Sequence, residues 1–307
     1  MRLLVAATCL LAGCATDPFR SAINDRSDSI VEIGSVAFFP QDEFQCGPAA
    51  LATALNASGV GATPEELQPM LFIPGRGGSL QPEMLATARR FERIPYVIAG
   101  TFEALVAELD AGHPVIVLQN LGVSIAPQWH YAVVIGYSGP QSAFILRSGT
   151  TKRLLQPSRT FASTWARSDN WGVVLLAPGD LPADQDASRY LQAVAAAESA
   201  GHFDLAIASY QSATQNWPGQ PLAMLGLANS YAAKGRVDLA LLWYGQLLDV
   251  EPGNVIGMNN LATVLGERGE CQQAQELLDR AFVTAAGDTV YLSVLERTRA
   301  GLAQCHE

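Results

Sequence analysis

Two kinds of hydrophobic pattern divide the chain at about residue 178. Before that point, short helical segments come first, and runs of β-branched and aromatic residues that predict strands follow. Helices are predicted at 49–55, 64–67, 81–93 and 101–111, and strands at 36–39, 96–98, 115–120, 130–137, 143–147 and 171–176. This order predicts an α+β domain with an antiparallel sheet over residues 35–178. Residues 14–34 are polar and mixed, and we interpret them as a tether.

The second half is rich in alanine and repeats itself after a linker at 179–186. Three glycines and three alanines recur at intervals of 34 residues, at positions 201, 235 and 269 and at 206, 240 and 274. The period and the pattern resemble the tetratricopeptide repeat, in which two paired helices form each unit. The sequence therefore predicts three repeats over 187–288, an all-α solenoid that a capping helix at 289–307 closes.

One polar stretch that leads into a helix contains the first candidate for chemistry. It runs from Gln41 through Gln45 to Cys46, Gly47 and Pro48. A thiol at a helix N-terminus is close to unpaired N–H groups and to the positive end of the helix dipole, and both favour its thiolate form. Cys46 is therefore a candidate nucleophile. The same stretch alone is also compatible with a small buried cysteine that has only a packing role.

A second stretch supplies a candidate base for that nucleophile. His130 precedes a run of β-branched residues that ends at Gly136. This run predicts a buried strand that begins at the histidine. A nucleophilic cysteine needs a base within hydrogen-bond reach, and a distant part of the sequence usually provides it. The other three histidines do not begin such a strand, so His130 is the candidate base.

Together these stretches resemble the papain-like cysteine peptidases of the bacteriocin-processing, double-glycine leader type. The resemblance rests on Gln followed by Cys-Gly-Pro-Ala-Ala-Leu, and on His-Tyr-Ala-Val-Val-Ile-Gly-Tyr at 130–137. It covers roughly residues 35–178 and implies a papain-like α+β fold and hydrolysis of peptide bonds. It also implies that a glutamine upstream of the cysteine helps to form the oxyanion hole. Gln41 is the better candidate for this role, and Gln45 is the weaker.

The sequence departs from that family in the third catalytic residue. The family usually places an aspartate on the strand after the histidine strand, but residues 144–150 contain no carboxylate. Ser148 or a residue of another loop could orient His130 instead. Asn120 is such a candidate, because it ends a strand that is expected to neighbour the histidine strand. The remaining alternative is a Cys46–His130 dyad with no third member.

The N-terminus predicts export and a lipid anchor. Residues 1–13 contain one arginine and an apolar run, and they end in Leu-Ala-Gly before Cys14. Small residues before a cysteine are typical of a lipoprotein signal peptide, which makes Cys14 the predicted lipidation site. Ala15 and Thr16 follow it, which favours the outer membrane of a Gram-negative cell, facing the periplasm. The chain is then exported and anchored to the cell envelope through its lipid.

The remaining cysteines predict a disulfide. Cys9 leaves with the signal peptide and Cys14 is lipidated, so Cys46, Cys271 and Cys305 remain. An exported protein can form disulfides. In an antiparallel helix stack, the capping helix ends near the start of the preceding helix, where Cys271 lies. We therefore predict a Cys271–Cys305 disulfide, with two unpaired thiols as the alternative.

Two classes of function follow from these features. The first is a lipid-anchored cysteine peptidase whose repeats recruit a peptide or protein substrate or a protein partner. The second is a peptidase-like lipoprotein that has lost its acidic residue and acts as a scaffold through the repeats. A formal net charge of −10 and the lack of a basic cluster exclude nucleic acid as an expected partner. The sequence predicts neither a cofactor nor a metal site.

Overall fold

The computed structural model describes residues 18–24, 26–40, 45–71, 79–123 and 125–305. Its first half is an α+β domain in which helices come mostly before strands, as the pattern predicts. The elements are α1 (Pro18–Ile23), β1 (Ile30–Glu32), α2 (Cys46–Ala57), α3 (Pro64–Leu71), α4 (Gln81–Arg90), β2 (Ile94–Val97), α5 (Phe102–Asp110), β3 (Val115–Asn120), β4 (Trp129–Ser138), β5 (Ala143–Ser148), β6 (Thr151–Pro157), α6 (Ser158–Ala166) and β7 (Gly172–Leu176).

The strands form one antiparallel sheet in the order β2-β7-β3-β4-β5-β6, and β1 pairs with the end of β4. The strand predicted at 171–176 is β7, which lies inside the sheet between β2 and β3. The sequence did not indicate β6 or α6. Gln119 and His130 are paired across β3 and β4, where β3 ends and β4 begins.

Each face of the sheet has its own apolar core. Side chains alternate along β4, so Ala132 and Val134 point to one face, and Tyr131 and Val133 point to the other. Helices α1, α5 and α6, with the first helix of the second half (Ala187–Ser199), cover the first face, and α2, α3 and α4 cover the second. The small residues of α2 allow the helix to lie close against β4, and nine consecutive residues, Gly47–Leu55, are buried there.

Two predictions for the first 40 residues are wrong. The predicted tether at 14–34 includes α1 and β1, which belong to the domain. Phe19 is fully buried, and its ring makes an edge contact with that of Phe144 at 5.1 Å. The predicted strand at 36–39 is irregular chain, in which Val36 is buried and its carbonyl accepts a hydrogen bond from Arg147.

The second half is a stack of antiparallel helices, as the repeat predicts. The helices are α7 (Ala187–Ser199), α8 (Phe203–Asn216), α9 (Pro221–Ala233), α10 (Val237–Val250), α11 (Val255–Glu267), α12 (Cys271–Thr284) and the capping helix α13 (Thr289–Leu302). Gly201, Gly235 and Gly269 each turn the first helix of a pair into the second with a positive φ. A disulfide joins Cys271 at the start of α12 to Cys305 after α13.

The linker between the halves is held against the first domain. The Tyr96 hydroxyl donates a hydrogen bond of 2.6 Å to Asp184, and the backbone N–H of Ala183 donates one of 2.9 Å to buried Glu108. Helix α7 packs on β2, so the apolar core of one sheet face continues into the repeats. Within the described residues, no helix is both long and apolar enough to cross a membrane.

Candidate active site

Cys46 occupies the first position of α2 and is half-buried. Gln45 precedes it at the N-cap, but its side chain makes no capping hydrogen bond. The first N–H groups of α2 therefore have no side-chain cap, and their partial positive charge acts on the thiol. Ser79 covers the next residue so closely that a Cβ on Gly47 would lie 2.6 Å from the Ser79 Cβ. Among the described cysteines, Cys46 is the only one outside the disulfide.

His130 is the second residue of β4 and is half-buried. Its Nε2 lies 2.9 Å from the hydroxyl oxygen of Ser148 on the adjacent strand β5. When Nε2–H donates to Ser148, Nδ1 is the basic nitrogen. Burial lowers the pKa of His130 below its ordinary value of 6.5. The imidazole is therefore neutral at neutral pH, which is the form that accepts a proton.

Tyr131 belongs to the histidine strand and lies near Cys46. It follows His130 directly, is buried, and packs its ring edgewise on Trp171 at 5.9 Å between centroids. Burial raises the pKa of Tyr131, and the nearby Cys46 and Glu83 raise it further. The Glu83 Oε2 atom is itself buried and accepts no hydrogen bond from the described residues. Sequence reasoning did not assign these residues to the site, because Trp171 and Glu83 come from distant positions in the sequence and Tyr131 was considered only as part of the histidine strand.

The strand geometry places the candidate nucleophile and the candidate base on different faces of the sheet. Because side chains alternate, His130 belongs with Ala132 to the face of the sheet that α6 covers, and Tyr131 belongs to the face that α2 covers. Cys46 and His130 both lie at the beginning of their elements. Cys46 packs with the face that α2 covers, and no hydrogen bond or ion pair among the described residues joins it to His130.

The structure gives Asn120 a different function from the predicted one. Its side-chain oxygen accepts hydrogen bonds from the backbone N–H groups of Gly122 at 3.0 Å and Gln128 at 2.9 Å. These bonds shape the loop between β3 and β4, so we correct the suggestion that Asn120 orients His130. Trp129, the first residue of β4, is 53% exposed.

Other predicted site residues lie elsewhere. Gln41, the preferred oxyanion candidate, and Cys14, the predicted lipidation site, are outside the described residues, as is the whole signal peptide at 1–13. Cys271 and Cys305 form their disulfide at the far end of the repeats, away from the sheet. Within the described part of the chain, no group of three or more His, Cys, Asp or Glu side chains could hold a metal ion.

Comparisons with known families agree with this division of the chain. Residues 33–171 match the model of the Peptidase_C39 like family, and residues 190–254 match a tetratricopeptide repeat model. No curated protein gives a significant match.

Solved structures resemble each half separately. A protein from Bacillus anthracis described as a C39-like peptidase is 17% identical, with 48% of this chain and 98% of that chain covered and a TM-score of 0.41. The peptidase domain of the Streptococcus transporter ComA is 20% identical over 45% of this chain and 96% of its own, with a TM-score of 0.37. The translocator chaperone SycD of Yersinia enterocolitica is 18% identical over 40% of this chain and 85% of its own, with a TM-score of 0.37.

Proposed function

The chain carries a Peptidase_C39-like domain followed by tetratricopeptide repeats, and on this basis we propose that it is a cysteine peptidase with Cys46 as its nucleophile. One observation carries the proposal. The single described cysteine outside the disulfide lies at the uncapped N-terminus of α2, and this helix packs on the strand that His130 begins.

In the proposed reaction, His130 acts first as a base and then as an acid, and Cys46 is the nucleophile. His130 takes the proton of the Cys46 thiol, and the thiolate attacks the carbonyl carbon of a peptide bond. The backbone N–H groups at the start of α2, together with the predicted Gln41 side chain, stabilise the negative oxygen. The imidazolium of His130 then protonates the leaving amine, and a thioester to Cys46 remains. Water, deprotonated by His130, hydrolyses the thioester and restores the thiol.

Ser148 has a positioning role in this proposal. Its hydroxyl accepts the Nε2–H of His130 and so fixes the ring with Nδ1 as the base. A hydroxyl carries no charge, so it stabilises the imidazolium less than an aspartate would. We therefore expect a slower enzyme than one with a Cys–His–Asp triad.

The proposal is tested by labelling the full chain with iodoacetamide at neutral pH and locating the label by mass spectrometry. We expect Cys46 to react at least about tenfold faster than an ordinary exposed thiol, and His130→Ala to abolish the excess. His202→Ala is the matched control, since His202 lies between α7 and α8 of the repeats and its ring contacts Glu92, which follows α4, outside the site. Slow labelling that His130→Ala leaves unchanged would contradict the proposal.

A scaffold without catalysis is the second candidate, and the observation in its favour is the neutral Ser148 in the position beside His130. The two candidates differ in what Cys46→Ala does. For a peptidase, this change abolishes cleavage of exported proteins, which a proteomic comparison of wild type and variant would detect. For a scaffold, the cleavage products are the same in both.

We also propose that the chain is anchored through a lipid on Cys14, and the position of α1 supports a specific orientation. Only residues 15–17 separate Cys14 from Pro18, so the domain lies within about 14 Å of the lipid. Helix α1 lies beside the β4–β5 hairpin, where Arg20 donates a hydrogen bond to Ser142. The ten residues of β4 span about 30 Å, so the candidate site is at the opposite end from the anchor.

The repeats are proposed to bind a protein partner, as tetratricopeptide repeats commonly do. Hydrogen bonds connect polar side chains of neighbouring repeats, with Asn229 accepting from Tyr244 at 2.7 Å and from Asn260 at 2.9 Å. These contacts set the angle between repeats and hence the shape of the binding surface.

A further inference from the structure

Glu83 is a carboxylate without a described partner on the face of the sheet that α2 covers. It lies in the first turn of α4, and its side chain is half-buried. Its Oε2 atom is buried and accepts no hydrogen bond from the described residues. No ion pair among those residues includes Glu83. A carboxylate that has lost water without gaining a partner costs free energy, which indicates that a ligand supplies the partner.

Packing contacts bring the start of α4 beside the candidate nucleophile. Gly47 follows Cys46 directly, and a Cβ on Gly47 would lie 2.6 Å from the Cβ of Ser79 and 3.7 Å from the Sδ of Met84. Met84 follows Glu83 in the chain, and both Met84 and Cys46 pack in the apolar cluster of this face. Helices α2 and α4 therefore place Glu83 and Cys46 in the same region of the sheet.

The hydroxyl of Tyr131 lies within electrostatic reach of both groups. Tyr131 is buried in the same apolar cluster, and burial is the main cause of its raised pKa. Cys46 and Glu83 raise this pKa further, and no basic residue opposes them among the described groups that act on Tyr131. The surroundings of the thiol are therefore electronegative.

This charge determines which chemical group fits beside Cys46. A substrate ammonium or guanidinium would give Glu83 its missing partner through a charge-assisted hydrogen bond. The same cation would offset the repulsion between the carboxylate and the thiolate that forms during the reaction. An acidic group at this place would be repelled by Glu83.

We propose that Glu83 is a specificity-determining residue that binds a cationic group of the polypeptide substrate beside Cys46. This inference rests on the proposed peptidase function, to which it adds a substrate class. A lysine or arginine side chain, or a free N-terminal amine, supplies the cation. Substrates with such a group close to the scissile bond are preferred over substrates with an acidic group there.

The first test measures the charge that a reagent meets at Cys46. The full chain is treated at neutral pH with two methanethiosulfonates of similar size, the trimethylammonium-ethyl cation and the sulfonatoethyl anion. Mass spectrometry follows the label on Cys46 and gives the ratio of the two rate constants. The variants are Glu83→Gln, Glu83→Asp and, as the matched control, Glu66→Gln. Glu66 is an exposed carboxylate in the first turn of α3, on the same face of the sheet.

We expect Glu83→Gln to lower the cation-to-anion ratio by at least about fivefold, because the carboxylate attracts the cation and repels the anion. Glu83→Asp keeps the charge and should keep most of the ratio. Glu66→Gln removes the same charge from a solvated position and should change the ratio by less than about twofold. The proposal is overturned if Glu83→Gln leaves the ratio unchanged, or if Glu66→Gln lowers it equally.

The second test identifies the source of the cation. Three octapeptide pools compete with iodoacetamide for Cys46. One is N-acetylated with lysine and arginine at alternate positions, one is N-acetylated with aspartate and glutamate there, and one has serine and glutamine there and a free N-terminal amine. We expect a cationic pool to protect Cys46 at a concentration at least about tenfold lower than the acidic pool, and Glu83→Gln to remove the difference. Equal protection by the three pools would overturn the proposal.

The outcomes separate the role of Glu83 from the catalytic mechanism. Each measurement compares rates at one thiol, so neither requires His130 to activate Cys46. Labelling that His130→Ala leaves unchanged would refute the peptidase mechanism, whereas the ratio in Glu83→Gln would still report the local charge. An unchanged ratio in Glu83→Gln, together with labelling that depends on His130, would refute only the role of Glu83.

Discussion

At the scale of single residues, the chemistry of the site depends on what stands beside His130. Its Nε2 contacts the hydroxyl of Ser148, and burial lowers the pKa of the imidazole without a neighbouring carboxylate to oppose it. A neutral histidine can accept the thiol proton, but it holds that proton weakly. A carboxylate beside the ring would oppose the effect of burial and strengthen the base.

We expect Ser148→Asp to raise the reactivity of Cys46. A carboxylate at this position would stabilise the imidazolium of His130, raise its pKa by about one unit or more, and so favour the thiolate. The rate of iodoacetamide labelling at pH 7 should increase by about tenfold. Ser148→Asn is the control, because it keeps a hydrogen bond to Nε2 without adding charge. An equal increase in both variants would show that orientation, and not charge, limits the reaction.

The lowered pKa of His130 also predicts how stability depends on pH. The unfolded chain has the ordinary pKa of 6.5 at this residue, so it binds more protons than the folded chain as the pH falls below that value. The free energy of unfolding therefore decreases as the pH falls from about 6.5 towards the lower pKa that His130 has in the folded chain. Urea unfolding at pH 7.5 and at pH 5.5 measures this effect. Between the two pH values, the free energy of unfolding should fall more for the wild type than for His130→Gln. Equal losses would contradict the assigned burial effect.

Sequence reasoning at this scale could identify Cys46 and His130, because each begins an element with a recognisable pattern. It could not choose between Ser148 and Asn120 as the partner of His130. The choice depends on strand register and on a loop hydrogen bond, and neither leaves a local signal. The side chains around Tyr131 were missed for a related reason, since Trp171 and Glu83 come from distant positions and contribute through packing alone.

At the scale of elements, the long helices and strands were predictable and the short ones were not. Helix α1 has six residues and β1 has three, too few for a hydrophobic period to appear. Their stability comes from the burial of Phe19 and from pairing with β4. The strand β6 was missed because Lys152 and Arg153 face solvent on the edge of the sheet, which gives it a polar composition.

The close packing of the repeat helices gives a prediction with an internal control. A Cβ on Gly226 in α9 would lie 2.2 Å from the ring of Tyr210, whereas a Cβ on Gly245 in α10 has nothing within 4 Å. Gly226→Ala should therefore destabilise the repeats by about 1–3 kcal/mol through overpacking. Gly245→Ala should stabilise them by about 0.5–1 kcal/mol, because alanine favours the helix. Urea unfolding followed by circular dichroism measures both, and shifts of the same sign would contradict the described packing.

At the scale of the whole molecule, the two halves share one apolar core. Tyr190 and Val194 of α7 belong to the same buried cluster as Tyr96 and Leu176 of the sheet. The sequence indicates two domains through composition and through the linker at 179–186. It does not indicate their contact, because the partners of the linker residues, such as Tyr96 for Asp184, lie far away in the sequence.

This shared core predicts that the sheet and the repeats unfold together. Hydrogen exchange measured by mass spectrometry along a urea series should show β4 and α10 losing protection at the same urea concentration. Asp184→Ala removes the carboxylate that accepts the Tyr96 hydroxyl and leaves that hydroxyl without its partner, so the two transitions should separate. Asp238→Ala is the control, because this carboxylate forms only an exposed ion pair with Arg268. If α10 loses protection before β4 in the unaltered chain, the halves are independent domains, and the linker contacts contribute little to their association.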